Sequence, residues 1–305
     1  MLLAAYQGER FLPEQLRSLR EQTDPCFRVL MQDDGSRDGT PELLCKTAAE
    51  DPRFGLAAEQ GRRLGPAGNF LSLLRQAEDP LIALCDQDDC WEPERLSRGR
   101  EALEQAEARF GADMPILVHS DCRLVDERGE TLAPSFFAHQ GWRADAVGLP
   151  ELLVQNNVTG CTTLMNRPLA LLAAGADPSR VFMHDWFLAQ IAAAFGHIVF
   201  VDAPLVRYRQ HGENVLGASK NGILGRAASA LRMPARARER MRLCYREAEA
   251  LLDAHRGKLP SEAKKTLIAF LKTRELPWPA RPLAVWRMGC RMQSLPTRIG
   301  QWLFG

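Results

Sequence analysis

Three aspartates stand within four positions in LIALCDQDDCWEPERL, after an apolar run and before a helical stretch. Asp86 and Asp88 are two residues apart, so on an extended segment their carboxylates project to the same side. Two such oxygens suit Mg²⁺ or Mn²⁺, hard ions that keep waters and accept a substrate's phosphates at the remaining positions. Three like charges this close repel one another, and a cation relieves that repulsion. A plainer reading fits equally: Asp88 or Asp89 caps the helix that begins near Pro93, and the other carboxylates are solvated.

Three further clusters carry usable groups. Asp33 and Asp34 in MQDDGSRDGT can accept hydrogen bonds from a nucleobase imide or a ribose, or can simply close the Asx turn that a DGS sequence forms readily. Asp185 in FMHDWFLAQI stands at a helix start, as a general base for a bound hydroxyl or as an N-cap. His211 in YRQHGEN offers an imidazole to a metal or a phosphate, or is a hydrogen-bonded turn residue. The Gly-Pro-Ala-Gly run at 65–68 opens a helix but lacks the lysine of a P-loop.

These clusters need a scaffold, and the spacing of apolar residues supplies one. Short apolar runs at 2–5, 27–31, 54–58, 81–85 and 116–119 alternate with amphipathic stretches at 9–21, 40–50, 67–77 and 93–108. That alternation predicts an α/β fold, a mainly parallel Rossmann-like sheet flanked by helices. Thr40 followed by Pro41 is a helix start, with Thr suited to cap free amides and Pro to the first turn. The first strand is short and Met1 stands almost at its loop, so residues are expected to be missing before it. Beyond 122 the pattern predicts a hairpin in VDERGETL, a loop over 132–147, a short helix over 150–154 and a strand in VTGCTTLMN. A helix in HDWFLAQIAAAFG and two short strands split at Pro204 follow. In such sheets ligands bind beyond the carboxyl ends of the strands, where YQGE, QDDGS and DQDDCW all fall.

With 305 residues, 46% of them hydrophobic, the chain can bury a large core. No stretch approaches the roughly 20 apolar residues of a membrane span, and Met1-Leu2-Leu3 runs directly into a polar loop, so a cytoplasmic protein is expected. The eight cysteines form no C-x-x-C pair and several lie in apolar runs, which predicts buried, reduced thiols. The net charge of +1 hides a division: residues 221–305 hold 17 Lys/Arg against 6 Asp/Glu, leaving 22 against 32 in 1–220. An acidic body with a basic tail argues against nucleic acid as a partner. In the tail, Val285, Met288, Met292, Leu295, Ile299 and Trp302 mark one helical face, with Arg281, Arg287, Arg291 and Arg298 nearby and a kink expected at Pro296. That face either packs on the chain's own body or lies on an anionic membrane surface.

Taken in order, LAAYQGERFLPEQLRSLREQT, VLMQDDGSRDGT, DQDDCWEPERL, NNVTGCTTLMNR, HDWFLAQIAAAFG and PLVRYRQHGENVLGA resemble the inverting family-two glycosyltransferases of GT-A fold. The bacterial rhamnosyltransferase-like enzymes of surface-polysaccharide and lipopolysaccharide assembly are the nearest subgroup. The resemblance covers about residues 1–218 and implies a catalytic domain there, with 219–305 as a basic helical extension. It implies a nucleotide-diphosphate-sugar donor, dTDP-L-rhamnose, and a glycan or lipid-linked glycan acceptor, at the inner face of the cytoplasmic membrane. Ala5, Tyr6, Gly8, Glu9, Asp33, Asp34, Asp86 and Gln87 would hold the donor. Asp86, Asp88 and His211 would hold Mg²⁺ or Mn²⁺. Asp185 would be the base, with Asn157, Thr159, Gly160, His184 and Trp186 about the acceptor. Family members usually carry Thr-Tyr-Asn-Gly in the first loop, where this chain has Ala5-Tyr6-Gln7-Gly8. Two other classes compete. A sugar nucleotidyltransferase needs a basic, Gly-rich phosphate loop after the first strand, which AAYQGERFL does not supply, and a non-catalytic membrane scaffold leaves the acidic clusters without a purpose.

Overall fold

The computed structural model describes residues 1–211 and 223–304. In chain order its elements are β1 (Leu2–Ala5), α1 (Leu12–Arg20), β2 (Val29–Asp33), α2 (Thr40–Glu50), β3 (Phe54–Leu56), α3 (Gly65–Gln76) and β4 (Leu81–Asp86). There follow β5 (Cys90–Trp91), α4 (Arg95–Phe110), β6 (Ile116–Val125), β7 (Thr131–Ala133), α5 (Phe136–Gln140), α6 (Leu149–Leu152), β8 (Leu164–Asn166) and α7 (Arg167–Ala174). The chain continues through α8 (His184–Phe195), β9 (His197–Arg209), α9 (Ile223–His255), α10 (Ser261–Lys272), α11 (Ala280–Arg287) and α12 (Leu295–Phe304).

One sheet runs β3-β2-β1-β4-β8-β6-β9-β5, with β7 paired to β6. The predicted parallel rhythm holds from β3 through β4, and the sheet becomes mixed where β8 inserts antiparallel between β4 and β6. Period-two alternation sorts the strand residues between two cores: Leu2, Ala4, Ile82 and Leu84 face one, and Leu3, Ala5, Ala83 and Cys85 face the other. The first core is covered by α3, α7 and α8, and the second by α1 and α4. Strands buried on both faces explain the uninterrupted apolar run that precedes the aspartates.

Several local expectations need correction. Thr40 begins α2 but does not cap it: Gly39 occupies the N-cap, and the Thr40 hydroxyl instead accepts the Gly8 amide at 2.8 Å. The expected loop at 132–147 contains α5, nucleated where Ser135 caps the Ala138 amide and Asp121 accepts the Phe136 and Phe137 amides. VTGCTTLMN is a strand only over Leu164–Asn166, preceded by a single 3₁₀ turn at Gly160–Thr162. Pro204 does not split β9. It shifts the register against β6 at Asp121, as expected of a residue with no amide to donate to the ladder.

The boundary at 218/219 lies outside the described residues. Beyond it the helices share the first core: Cys244, Ala248 and Leu251 of α9, Leu267 and Phe270 of α10, and Val285 of α11 are buried with Phe187, Leu188 and Ile191 of α8. The tail's predicted apolar face is divided. Val285 and Met292 are buried, whereas Leu295, Ile299 and Trp302 are exposed by 69%, 43% and 39%. Pro296 lies in the first turn of α12, where its missing N–H costs nothing, and so starts a helix rather than kinking one. The six core-lying cysteines are buried free thiols, with Cys26 and Cys45 exposed.

Candidate functional site

The polar loops after β1, β2 and β4 meet at the carboxyl ends of the parallel strands. The first two are laced together: the Gln7 amide donates to Ser36 Oγ at 2.9 Å, the Arg37 amide to Gln7 Oε1 at 2.7 Å, and the Gly39 amide to Glu9 Oε2 at 2.9 Å. Gln7 adopts φ +52°, a left-handed conformation more natural to Asn or Gly, and these cross-braces hold it there. Ala5 is buried and its carbonyl accepts the Asp34 amide. Gly8 lies against Gln87, whose Cγ would stand 2.6 Å from any Cβ at position 8. Of the four first-loop donor candidates, only Tyr6 and Glu9 are exposed, and Glu9 is engaged with Gly39.

Asp33 and Asp34 play different parts. Asp33 closes the Asx turn, accepting the Gly35 and Ser36 amides at 3.0 Å each, while lining a cavity of about 570 Å³ with Ser36, Arg37, Cys45, Leu56, Gln60 and Arg63. Asp34 is buried and accepts Arg63 Nη1 at 3.0 Å and the Leu64 and Gly65 amides, pinning the start of α3. Burial raises the Asp34 carboxyl above the usual range against the pull of those donors. The Arg63 guanidinium, which lines that cavity, lies 3.3 Å from the Tyr6 ring centroid. Arg63 and Gln60 are not marked by the sequence, because nothing local identifies a residue in a polar stretch as the neighbour of Asp33 and Asp34 or of Tyr6.

After β4 the acidic loop is turned by β5, whose Cys90 and Trp91 pair antiparallel with Arg207 and Val206 of β9. That register carries the end of β9 back along the aspartates. The buried Arg209 donates its amide to Asp89 Oδ1 at 3.1 Å and its Nε to the Asp88 carbonyl at 2.9 Å. Asp89 therefore does not cap α4, whose N-cap is Glu94 with no side-chain capping bond. Burial and the charge of Asp88 push Asp89 up to about 8. His211 Nε2 stands 2.8 Å from Asp88 Oδ2. Asp86 is raised well above the carboxylate range by desolvation and by Asp89, Asp88 and Asp185.

Asp185 reaches the same crevice from α8. It occupies the first turn, not the N-cap, which is Met183. Burial pushes its carboxyl up to about 6, opposed by the amides of Trp186 and Gly160. A carboxyl so placed can take a proton near neutral pH. The other residues expected about the acceptor are largely interior. His184 is buried and packed against Phe70 with the rings tilted and their centroids 4.0 Å apart, and burial lowers it to about 3, a neutral imidazole. Trp186 is buried with its indole N–H on the Leu152 carbonyl. Asn157 is fully buried and donates to the Arg143 and Ala146 carbonyls. Thr159 is half-buried, and Gly160 leaves room for His184.

Of the expected metal ligands the structure brings Asp88 and His211 together, and it does not gather Asp86 with them. Ligands at right angles on an octahedral ion with bonds of 2.0–2.1 Å are about 3.0 Å apart, close to the Asp88–His211 separation. Among the described residues the three ligand-bearing groups that converge, with candidate atoms all within 4.8 Å, are instead Asp86, Asp89 and Cys161. A cysteine sulfur is a soft donor, however, and poorly matched to Mg²⁺ or Mn²⁺.

Residues 2–146 match the model of glycosyl transferase family 2. The dTDP-rhamnosyl transferase RfbG of Shigella flexneri is 27% identical over 225 residues, covering 71% of this chain and 74% of that protein. The chain spans 58% of the length of an uncharacterized Mycobacterium tuberculosis relative, at 26% identity and 69% of its own length. Staphylococcus aureus TarS residues 1–349, solved with UDP-GlcNAc, superimposes with a TM-score of 0.58 at 17% identity, over 94% of this chain and 78% of that one. A mannosyltransferase of Pyrobaculum calidifontis, solved with GDP-Man and Mn²⁺, gives 0.53 at 19% identity, over 94% and 72%. Through residues 2–146 the chain belongs to glycosyl transferase family 2, and its fold is GT-A.

Proposed function

We propose that the protein is an inverting, metal-dependent transferase that moves L-rhamnose from dTDP-L-rhamnose to a sugar hydroxyl of a bacterial surface polysaccharide or lipopolysaccharide intermediate. The observation that carries the reaction type is the convergence of Asp185 with Asp86 and the Asp88–His211 pair, from three distant stretches, on one crevice. The sugar rests on the similarity to the dTDP-rhamnosyl transferase RfbG.

In this reading the nucleoside lies in the cavity lined by Asp33, Gln60 and Arg63, with Tyr6 against Arg63. Asp88 and His211, with Asp86, hold Mg²⁺ or Mn²⁺, which would supply Lewis-acid stabilisation of charge on the departing diphosphate. Asp185 accepts the proton of the attacking hydroxyl, and Thr159 and Gly160 border the acceptor. A single displacement from the face opposite the leaving group inverts the anomeric carbon and needs no covalent enzyme intermediate.

The acceptor's location gives the tail a role. Trp278, Trp286, Leu295, Ile299, Trp302 and Leu303 are exposed on or beside α11 and α12, and Arg291 lies 4.1 Å over Trp286. Aromatic and aliphatic groups among arginines suit the boundary of an anionic membrane. Among the described residues no helix is long and apolar enough to cross a membrane. The domain reading is a catalytic body at 1–218 and a tail at 219–305 that completes its core.

Thermal shifts against a panel of nucleotide sugars with Mg²⁺ or Mn²⁺ test the donor, since a ligand bound only by the folded state raises its apparent stability. A shift with dTDP-L-rhamnose is expected, and none with any nucleotide sugar sinks the transferase reading. Flotation with anionic vesicles tests the tail, using Trp286→Ser, Trp302→Ser and Leu303→Ser together, because deleting the tail would open the core. Equal flotation of this variant and the wild type removes the membrane contact.

A further inference from the structure

The segment that leads into α8 is held from α9. Arg246 donates to the Ser179 carbonyl at 3.0 Å, and Arg180 pairs with Asp253 at 2.6 Å. Between these, the fully buried Glu247 accepts the Phe182 amide on Oε2 at 2.8 Å. Phe182 and Met183 directly precede His184 and Asp185, and Met183 is an N-cap whose side chain caps nothing. A carboxyl group from a helix more than 60 residues away thus holds the backbone just before the first turn of α8.

We propose that Glu247 is a positioning residue for the reaction: by holding the 182–183 backbone it fixes the first turn of α8 and with it the direction of the Asp185 carboxylate. The α9 helix is then part of the active-site framework as well as of the core. This rests on Asp185 being the base. Burial pushes Glu247 up to about 8, the Phe182 amide opposes that rise, and the charge of Asp185 adds to it. A buried carboxyl so disfavoured costs more than an apolar side chain of the same size, and its bond to the Phe182 amide fits a directional task better than packing.

The test uses the full chain carrying Glu247→Gln, which keeps an acceptor for the Phe182 amide, and Glu247→Ala, which does not. Hydrogen exchange of the peptide spanning 181–188 is read by mass spectrometry alongside that of 81–86. Glu247→Ala is expected to speed exchange at least tenfold in the first peptide and leave the second unchanged, and Glu247→Gln to stay within threefold of wild type. With dTDP-L-rhamnose and Mn²⁺, release of nucleoside diphosphate should fall at least tenfold in kcat for Glu247→Ala, with KM within threefold, and Glu247→Gln should restore most of it. Wild-type exchange at 181–188 in Glu247→Ala overturns the proposal, as does equal loss in both peptides. Asp185→Asn separates the two readings. If it retains turnover the base assignment fails, and if it is inactive while Glu247→Ala turns over normally only the positioning role fails. The exchange measurement decides even if this donor is not turned over.

Discussion

His211 Nε2 and Asp88 Oδ2 lie 2.8 Å apart across 123 residues of sequence. The contact exists because β5 pairs with β9 immediately after the acidic loop, so the strand that ends at Arg209 delivers His211 to Asp88. If both are ligands of one ion, His211→Ala should raise the Mn²⁺ concentration needed for thermal stabilisation by on the order of 10–100-fold, the range known for losses around metal sites. EDTA should abolish transfer and added Mn²⁺ or Mg²⁺ should restore it. An unchanged Mn²⁺ midpoint in His211→Ala would reduce the contact to a structural hydrogen bond.

Asp185 should show opposite signs in activity and stability. Its folded pKa is raised to about 6 from 3.8, so burial penalises the ionised form. The stability held with the carboxyl protonated is fully present below about pH 4 and is lost as pH rises through about 6. Asn does not titrate, so Asp185→Asn should match wild type at low pH and exceed it above pH 6, by at most about 2–3 kcal/mol. The same variant should be inactive, and wild-type kcat should fall as pH drops through about 6. Parallel melting curves at all pH values would contradict the shift.

Gly160 is required by space, not by its backbone angles. A Cβ there would lie 2.8 Å from His184 Nε2 and 3.5 Å from Asp185 Cβ, and His184 is wedged against Phe70. Gly160→Ala should therefore cost about 1–3 kcal/mol, as overpacked cores do. It should lower turnover while donor affinity holds. Denaturant melts and calorimetric titration with the donor measure the two effects, and a full-activity Gly160→Ala would show that the first turn of α8 tolerates displacement.

Tyr6 faces Arg63, which lines the cavity beside Asp33, and is 38% exposed. Should a base stack there, Tyr6→Ala should lose about 1–2 kcal/mol of nucleoside-diphosphate affinity, or roughly 5–30-fold in Kd, with little change in kcat. Isothermal titration with dTDP and UDP would also show whether the cavity discriminates between bases. Unaltered affinity places the base elsewhere.

The glycine, proline and apolar punctuation of the chain was enough to find α2 at Thr40–Glu50, α8 at His184–Phe195 and the hairpin of β6 and β7. It was also enough to gather Asp33, Asp34, Asp86 and Asp88 at the ends of parallel strands, because helix and strand periods are local and a βαβ rhythm fixes which end of each strand faces the crevice. Local chemistry was less decisive about roles. Asp33 forms the Asx turn its DGS sequence promised and still lines a cavity, and Asp89, a credible cap by sequence, is drawn inward by the amide of Arg209.

By itself the sequence determined the alternating elements, the acidic crevice and a basic tail with an apolar face. Only the tertiary structure decided which groups meet. The packing of α8 on the sheet brings the charge of Asp185 to bear on Asp86, the β5–β9 register brings His211 to Asp88, and the docking of α9 brings Glu247 to the Phe182 amide. Periodicity and capping act over three or four residues, whereas these meetings depend on strand order and helix docking, which are set by the summed burial of two cores and leave no mark at any single position.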